Sequence, residues 1–591
     1  MAQPRTKKKS APPRRKEWSL LPYMTVSGTT KKRTYRYVVV RYDEVLDDGR
    51  RQPRPLVTLG REENVDKRKA ETLTGVMQEF VRKGSTMTVE ELKEHLGMAK
   101  PKLRILCSRQ FGLRFVVEQA FKELGYSAAL AAIDADSRTH FSIERAVFAM
   151  VLQQIVSPGS KLRAAERLGD IVFFPEGEGL AVDHLYRALD VLAKNQDVIE
   201  GALRTELAKH GISFDKLAHD TTSSFFRTDY DDVEWKAMAD DERAERKRAP
   251  TINEPPLRMR GHSKDHQPGR PQIVVEAVTA EGFVVHHETH PGNRADKSVL
   301  AATAKKAVDE LEFAKGATWT GDTGMNSKKA QDALDELGLD WVLGEGRART
   351  DEVREVIAGK GEFTQHPDNV DLAYRAEKRG EKLFVVRLNR LEQKRRLKTI
   401  DRHLTRVRLD LGKDDLVDGH GRRLCGLLSH KTYGPYVRKK PDDATRLEVD
   451  PNAVALQREI AGRSVISSKL DDPLEIDAIY RRLYEVEGAF RTLKGELDLR
   501  PIRHRKAPRI RAHVLLCVMA LNVVRWIERK TEKRLPRLRD TLTPLCAHRV
   551  EIGGSRFWEV AELTEEQAHV FEKLGYEKPL KRFEAVLAET P

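Results

Sequence analysis

The sequence predicts a mixed α/β layer protein with helices ahead of its sheet. Three observations predict it. From about residue 211, short runs rich in Val, Ile, Thr and Phe alternate with helical periods, the pattern of a sheet covered by helices. From about 62 to 210, apolar residues recur at helical spacing. Between 22 and 60, β-branched runs alternate with turns such as Asp47–Asp48–Gly49. The 591 residues are 39% hydrophobic and 33% charged, enough for several domains and unlike a disordered or membrane chain.

In chain order, 1–21 is a basic flexible tail; its first 16 residues hold seven Lys/Arg and no acid, with no apolar region behind them to suggest a signal peptide. A small β segment (22–61) follows. The region 62–210 shows helices at 111–126, 143–157 and 183–210, with SPGSK (157–161) starting a helix behind a Ser cap. The first part of the core (211–349) has a strand at 212–227, a charged stretch at 228–258, and two strands within 261–292 around Ala280–Glu281–Gly282. A helix at 295–313, a strand at 317–325, a helix capped by Asn326 and a strand at 340–345 complete it. The segment 350–460 breaks this rhythm and reads as a β-rich insertion with its own small sheet, from KLFVVRL and RLCGLLS. The second part of the core (461–530) opens with the strand RSVISSK. Asp472 then caps a helix with Pro473 first and Glu475 three residues after the cap. HVLLCVMALNVVRWIE (513–528) is a buried helix including Trp526, too short and too polar to span a bilayer. A helical/β extension, 531–591, closes the chain.

Three acids sit where local structure does not need them. Asp220, in AHDTTSSFF, interrupts a strand, where Asp is disfavoured. Asp322, in TWTGDTGM, ends a strand before a glycine turn, the position at which open α/β sheets place their sites. Glu487, in IYRRLYEVEGAFRTLK (479–494), falls at helical spacing on the side of Tyr480, Leu483, Tyr484, Phe490 and Lys494, the expected inward face, with Glu485 and Glu496 toward water. Each has a plain structural use: a bulge cap, an Asx-turn, an ion pair with Arg491 or Lys494. Together they suit a metal site, because two divalent ions about 3.5–4 Å apart need carboxylates converging from several elements. Asp265 and Asp296 compete from loop and helix-start contexts, where Asp has structural uses. HHETH (286–290) lacks the HExxH spacing and reads as a strand end, so no metal is expected there.

The net charge of +15 favours polyanionic partners, nucleic acid first. RPIRHRKAPRIR (500–511) carries six Lys/Arg and no acid directly after the helix with Glu487, which makes Arg503, Arg505 and Lys506 candidates for phosphate contact. The four cysteines are far apart, form no CxxC pair and fit a reducing cytoplasm.

Around the three acids the chain resembles the DDE transposases of bacterial insertion sequences, in the IS-four-like superfamily and its branch named after insertion sequence sixteen-thirty-four. That superfamily's last catalytic helix carries Tyr, two residues, Arg, three residues, Glu, six residues, Lys. Tyr480, Glu487 and Lys494 stand at those spacings, with Leu483 at the Arg position behind Arg481 and Arg482. HDTTSSFF and GDTGMNSKK resemble the blocks around the two aspartates, with Thr323 where relatives often have Arg. GHSKDHQPGRPQ and HPGNRADK resemble blocks between them, and FRTLKGELDLRPIRHRKAPRIRAHVLLCVMALNV resembles the tail of the catalytic domain.

The resemblance implies an RNase H-like catalytic core with a β-rich insertion, preceded by a small β-hairpin segment and a helical DNA-binding region. It implies Asp220, Asp322 and Glu487 as catalytic residues and ligands of two Mg²⁺ (or Mn²⁺) ions, with Tyr480, Arg481, Arg482 and Lys494 toward DNA. Cleavage at the element's end would free a 3′-hydroxyl that attacks target DNA by the same in-line route. The implied partners are transposon ends and target DNA, bound by a homodimer on paired ends, with no membrane, in the cytoplasm and on the nucleoid. Leu483 lacks a guanidinium fork, and with Thr323 it leaves two other readings open. One is a DNA-binding protein on a decayed transposase scaffold; the other is a nuclease that cuts without joining.

Overall fold

The computed structural model describes residues 23–29, 35–46, 48–82, 103–136, 139–238, 253–346, 350–411, 426–443, 446–552, 555–577 and 582–584. The basic tail and residues 423–425 of the expected strand RLCGLLS lie outside them. The chain divides into two units, Met1–Ile105 with Val550–Arg556, and Leu106–Arg549 with Phe557–Pro591. In the first, three antiparallel strands (Tyr23–Thr29, Tyr35–Val45, Arg51–Arg61) precede a helix, Lys67–Arg82. Val38, Val39 and Val40 on the middle strand are buried.

The second unit is built on a nine-stranded mixed sheet. Its strands are β1 (Lys216–Phe225), β2 (Gln272–Ala280), β3 (Phe283–Pro291), β4 (Thr318–Gly321), β5 (Asp340–Glu345), β6 (Thr364–Gln365), β7 (Leu372–Arg379), β8 (Lys382–Asn389) and β9 (Arg463–Ser468). They lie in the order β6-β7-β8-β9-β5-β4-β1-β2-β3. β1, β2 and β3 form an antiparallel meander, whereas β4 runs parallel to β1 and β5 parallel to β4. The β2–β3 turn forms where its residues predict it. Glu281 and Gly282 both have positive φ (46° and 87°), the twist that suits a two-residue hairpin.

The sheet is covered by helices. Gly112–Glu123, Ile143–Val156 and Val182–Leu192 pack against a 25-residue helix, Ala507–Thr531, which also lies against β3. That helix is apolar on nearly every side and is buried accordingly, with Trp526 only 3% exposed. Among the described residues it alone is long and apolar enough to cross a membrane. The Ser cap of SPGSK forms as expected: Ser160 accepts from the Arg163 amide at 3.2 Å.

The structure departs from the sequence reading at several points. The helix expected over 183–210 is two, Val182–Leu192 and Gln196–Lys209. That over 295–313 is a 3₁₀ turn (Asp296–Ser298), an α-helix (Leu300–Lys305) and a π turn (Lys306–Glu310). KLFVVRL does not belong to a separate sheet. On β8, Phe384 and Val386 pack under the helix Asp351–Ala358 and Leu383 and Val385 pack on the opposite side, so the strand must be interior to the main sheet. The separate sheet of this segment is the short pair Val437–Lys439 and Leu447–Val449, beside a 22-residue helix, Arg390–Leu411. Gly426–Leu428 is helical. Asp472 caps α1 (Pro473–Arg481), but Glu475 pairs with Lys216 at 2.8 Å. The helix of 479–494 is broken at Arg482, where α1 ends and α2 (Leu483–Lys494) begins.

Candidate active site

β1 and β4 run in parallel with His219 opposite Gly321. One residue further along each, Asp220 and Asp322 are therefore neighbours, on strands about 4.8 Å apart. Asp220 accepts a hydrogen bond from the Thr221 amide at 2.7 Å. Lys264, from the loop ahead of β2, donates to the Thr221 carbonyl (2.8 Å) and hydroxyl (2.7 Å). Its ammonium lies 3.2 Å from Asp296 and 3.8 Å from Asp220. Thr221 in turn donates to Asp296 at 2.7 Å. Burial pushes the Asp220 carboxyl up to about 6; Lys264 and the Thr221 amide oppose the shift and the charge of Asp322 reinforces it.

Tyr480 closes another side of this site. Its hydroxyl is hydrogen-bonded to Thr323, and burial together with the charge of Asp322 pushes the phenol up to about 12, so it stays protonated. Gly344 on β5 makes the approach possible. A Cβ there would stand 2.5 Å from the Tyr480 hydroxyl and 2.8 Å from the Thr323 hydroxyl.

α2 lies against β1. Its buried residues are Leu483, Val486, Ala489, Phe490 and Leu493, while Tyr484 is 64% exposed. Glu487 is exposed, which corrects the expectation of an inward face: α2 buries the stripe Leu483, Val486, Ala489, Phe490 and Leu493, and Glu487 lies beside it. Among the described residues Glu487 has no ion-pair partner, and neither Arg491 nor Lys494 engages it. Glu485 is exposed, as expected, at a charged cleft of about 850 Å³ that Arg525 and Arg529 also line, where partial desolvation raises its carboxyl.

The donors around Asp220 are oxygens, with Asp322 beside it and Asp296 joined to it through Lys264 and Thr221; Glu487 is on the helix packed against β1, and among the described residues no contact ties it to these acids. Hard oxygen donors suit Mg²⁺ or Mn²⁺, and the Asp220 carboxyl is raised chiefly because it is desolvated, with Asp322 adding a smaller push.

Residues 244–523 match the family model for the transposase DDE domain. The match takes in Asp322, Glu487 and the Lys264 loop; Asp220 lies ahead of it. The chain is also similar to a piggyBac transposase solved as a synaptic complex with hairpin DNA, at TM-score 0.34 and 10% identity over 78% of this chain and 79% of that one. Comparison with curated proteins gives no match.

Within the DDE-domain match, the basic side chains are divided between inward and outward tasks. Arg481 is held by Asp477 (2.7 Å) and His366 (2.8 Å), and Arg387 shares that aspartate. Arg482 reaches the Lys216 carbonyl at 3.5 Å, and Leu483 is in the core at 7% exposure. Neither arginine therefore supplies a free fork at the Leu483 position. Lys494 sits 2.6 Å from the buried Asp265, which also holds Arg500. Arg503 and Lys506 are exposed, and Arg503 and Arg505 line a cavity of about 370 Å³ with Arg227 and Trp235. Asn326 is not the helix cap expected of it; Ser327 is, accepting from the Ala330 amide, while buried Asn326 donates to the Gly344 carbonyl at 2.9 Å.

Sequence reasoning ranked Asp296 below the three chosen acids and did not single out Lys264. The signal was available in HPGNRADK and GHSKDHQPGRPQ, the two blocks that carry them.

Proposed function

We propose that this chain is a transposase that binds the ends of an insertion element, cuts them and joins the freed 3′ ends to target DNA. In this reading Asp220, Asp322 and Glu487 hold the metal ions. The observation that carries it is the pair of neighbouring carboxylates, Asp220 on β1 and Asp322 just past the end of the adjacent parallel strand β4, with Asp220 desolvated beside that like charge. An RNase H-like core is supported by the strand order: a three-strand antiparallel meander whose first strand continues into two parallel strands, followed by the helix that carries Glu487.

Bound Mg²⁺ or Mn²⁺ supplies Lewis acidity to the attacking and leaving oxygens. The chain's own residues do the rest. Asp220 sheds its proton to become a ligand, and Lys264 balances the Asp296 carboxylate beside it. The neutral Tyr480 hydroxyl stands beside Thr323 in the Asp322 loop. Arg503, Arg505 and Lys506 offer positive charge to the DNA backbone. Lys494 acts as a charge positioned by Asp265. The protein works as a homodimer on paired ends, in the cytoplasm and on the nucleoid.

A DNA-binding protein on a decayed scaffold is the second reading, favoured by the buried Leu483 and the inward commitment of Arg481. Incubation with labelled DNA ends and Mg²⁺ or Mn²⁺ separates the readings. Strand transfer that is lost in Asp322→Ala supports the proposal. Cleavage without joining identifies a nuclease, and binding alone identifies the decayed scaffold.

A further inference from the structure

The stretch HHETH lies on β3, where alternate residues share a face. His286, Glu288 and His290 are thus set at strand spacing, and the register places Glu276 of β2 directly opposite Glu288. Ligating atoms of Glu276, Glu288 and His290 all lie within 4.8 Å of one another, the one such group among the described residues. His290 Nε2 is 2.5 Å from Glu276 and 3.8 Å from Glu288.

His286 directs its second ring nitrogen at Glu288. It is fully buried, its Nδ1 is 2.7 Å from Glu200, and its Nε2 has no hydrogen-bond partner. That nitrogen lies 3.7 Å from Glu288, too far for a hydrogen bond. Two ligands of a tetrahedral ion with bonds near 2.0–2.1 Å stand roughly 3.3 Å apart. The 3.8 Å separation of His290 from Glu288 therefore needs only slight contraction and its 2.5 Å contact with Glu276 only slight widening, while His286 stands outside this group of three and meets it at Glu288. A carboxylate on the far ring nitrogen, as Glu200 provides, is the usual support of a metal-bound histidine. Lys306, 3.1 Å from Glu288, is the cation that a bound ion would displace.

We propose that Glu276, Glu288 and His290 form a binding site for a divalent transition ion of the zinc class, separate from the Asp220–Asp322 pair, with His286 drawn in as a fourth ligand when the ion binds. Two imidazoles and two carboxylates select such an ion over Mg²⁺ or Ca²⁺, which prefer oxygen alone. The site would fasten the β2–β3 hairpin behind the candidate active site, because Glu276 also lies 2.6 Å from His219, the residue before Asp220. This proposal does not depend on the transposase reading.

The full chain, stripped of metal, is titrated with Zn²⁺ by calorimetry and with Co²⁺ by visible absorption. The expected result is one Zn²⁺ equivalent and a tetrahedral Co²⁺ spectrum, both retained in Asp322→Asn. Glu288→Gln and His290→Ala should each weaken Zn²⁺ binding by about 100-fold or more, and Glu200→Gln by about 10–100-fold. Circular dichroism checks that each variant is folded, and Glu288→Gln changes a partly exposed residue with little change of shape. The proposal is overturned if the chain takes up no Zn²⁺ at micromolar concentration. It is equally overturned if Asp322→Asn abolishes uptake while Glu288→Gln and His290→Ala leave it intact.

Discussion

Replacing Asp220 by Asn should stabilise the metal-free protein and abolish its chemistry at the same time. The folded-state carboxyl is raised from 3.8 to about 6, chiefly by burial, with the charge of Asp322 adding to the shift. About two pKa units correspond to ~3 kcal/mol of cost for the charged form. The sign follows from linkage: between the unfolded and folded values the native state binds the extra proton, so stability falls as pH rises from about 4 through about 6. At pH 7.5 in chelator the wild type carries this cost in full and Asp220→Asn does not. The gain is reduced by the lost attraction to Lys264, which keeps Asp296 and Thr221 as partners. The Asn oxygen can still accept from the Thr221 amide. Urea unfolding at pH 7.5, 6 and 4.5 should show the variant ahead by ~1–3 kcal/mol at the highest pH and level with the wild type at the lowest. Added Mg²⁺ should stabilise the wild type alone. A variant that is less stable at pH 7.5, or whose difference from the wild type does not change with pH, would refute the assignment of a desolvated carboxyl beside a like charge.

Three further outcomes are expected. Replacing Arg503, Arg505 and Lys506 together by Ala should weaken DNA binding and lower the slope of log K against log salt by about 2–3, measured by fluorescence anisotropy across a salt series. An unchanged slope would remove the basic run from the interface. Leu483→Arg, which restores the residue type of the resembled family, should unfold at lower urea by on the order of several kcal/mol rather than raise activity, because position 483 is in the core. Asn326→Ala leaves the Gly344 carbonyl and Gln331 without their partner, so it should cost about 1–3 kcal/mol while leaving Asp322 in place. An unshifted urea midpoint would show that those bonds contribute nothing.

The candidate site was legible in part. Asp220 and Asp322 stood out because an acid inside a strand and an acid at a strand end are each anomalous within a few residues of sequence. Glu487 is not on the inward face because two apolar stripes are available in α2, and packing buries the one through Val486, Ala489 and Leu493 rather than the one through Tyr484 and Glu487. Lys494 stands at the spacing of a phosphate contact, yet a buried aspartate more than 200 residues earlier holds it. HHETH does not fit the helical HExxH motif, and on a strand the informative spacing is two.

What the sequence determined by itself was local: DWVLGE as a strand, the β2–β3 turn at Glu281–Gly282, the Ser160 and Asp472 caps, and the burial of the helix around 513–528. Each depends on periodicity or a single residue's backbone preference, and both are carried within one element. The tertiary structure alone decided that β8 extends the main sheet, that Asp296 and Lys264 join Asp220, and that His290 meets Glu276. Those facts depend on strand register and on which helix covers which face. Contacts between residues far apart in the chain set both, and no window of the sequence contains them.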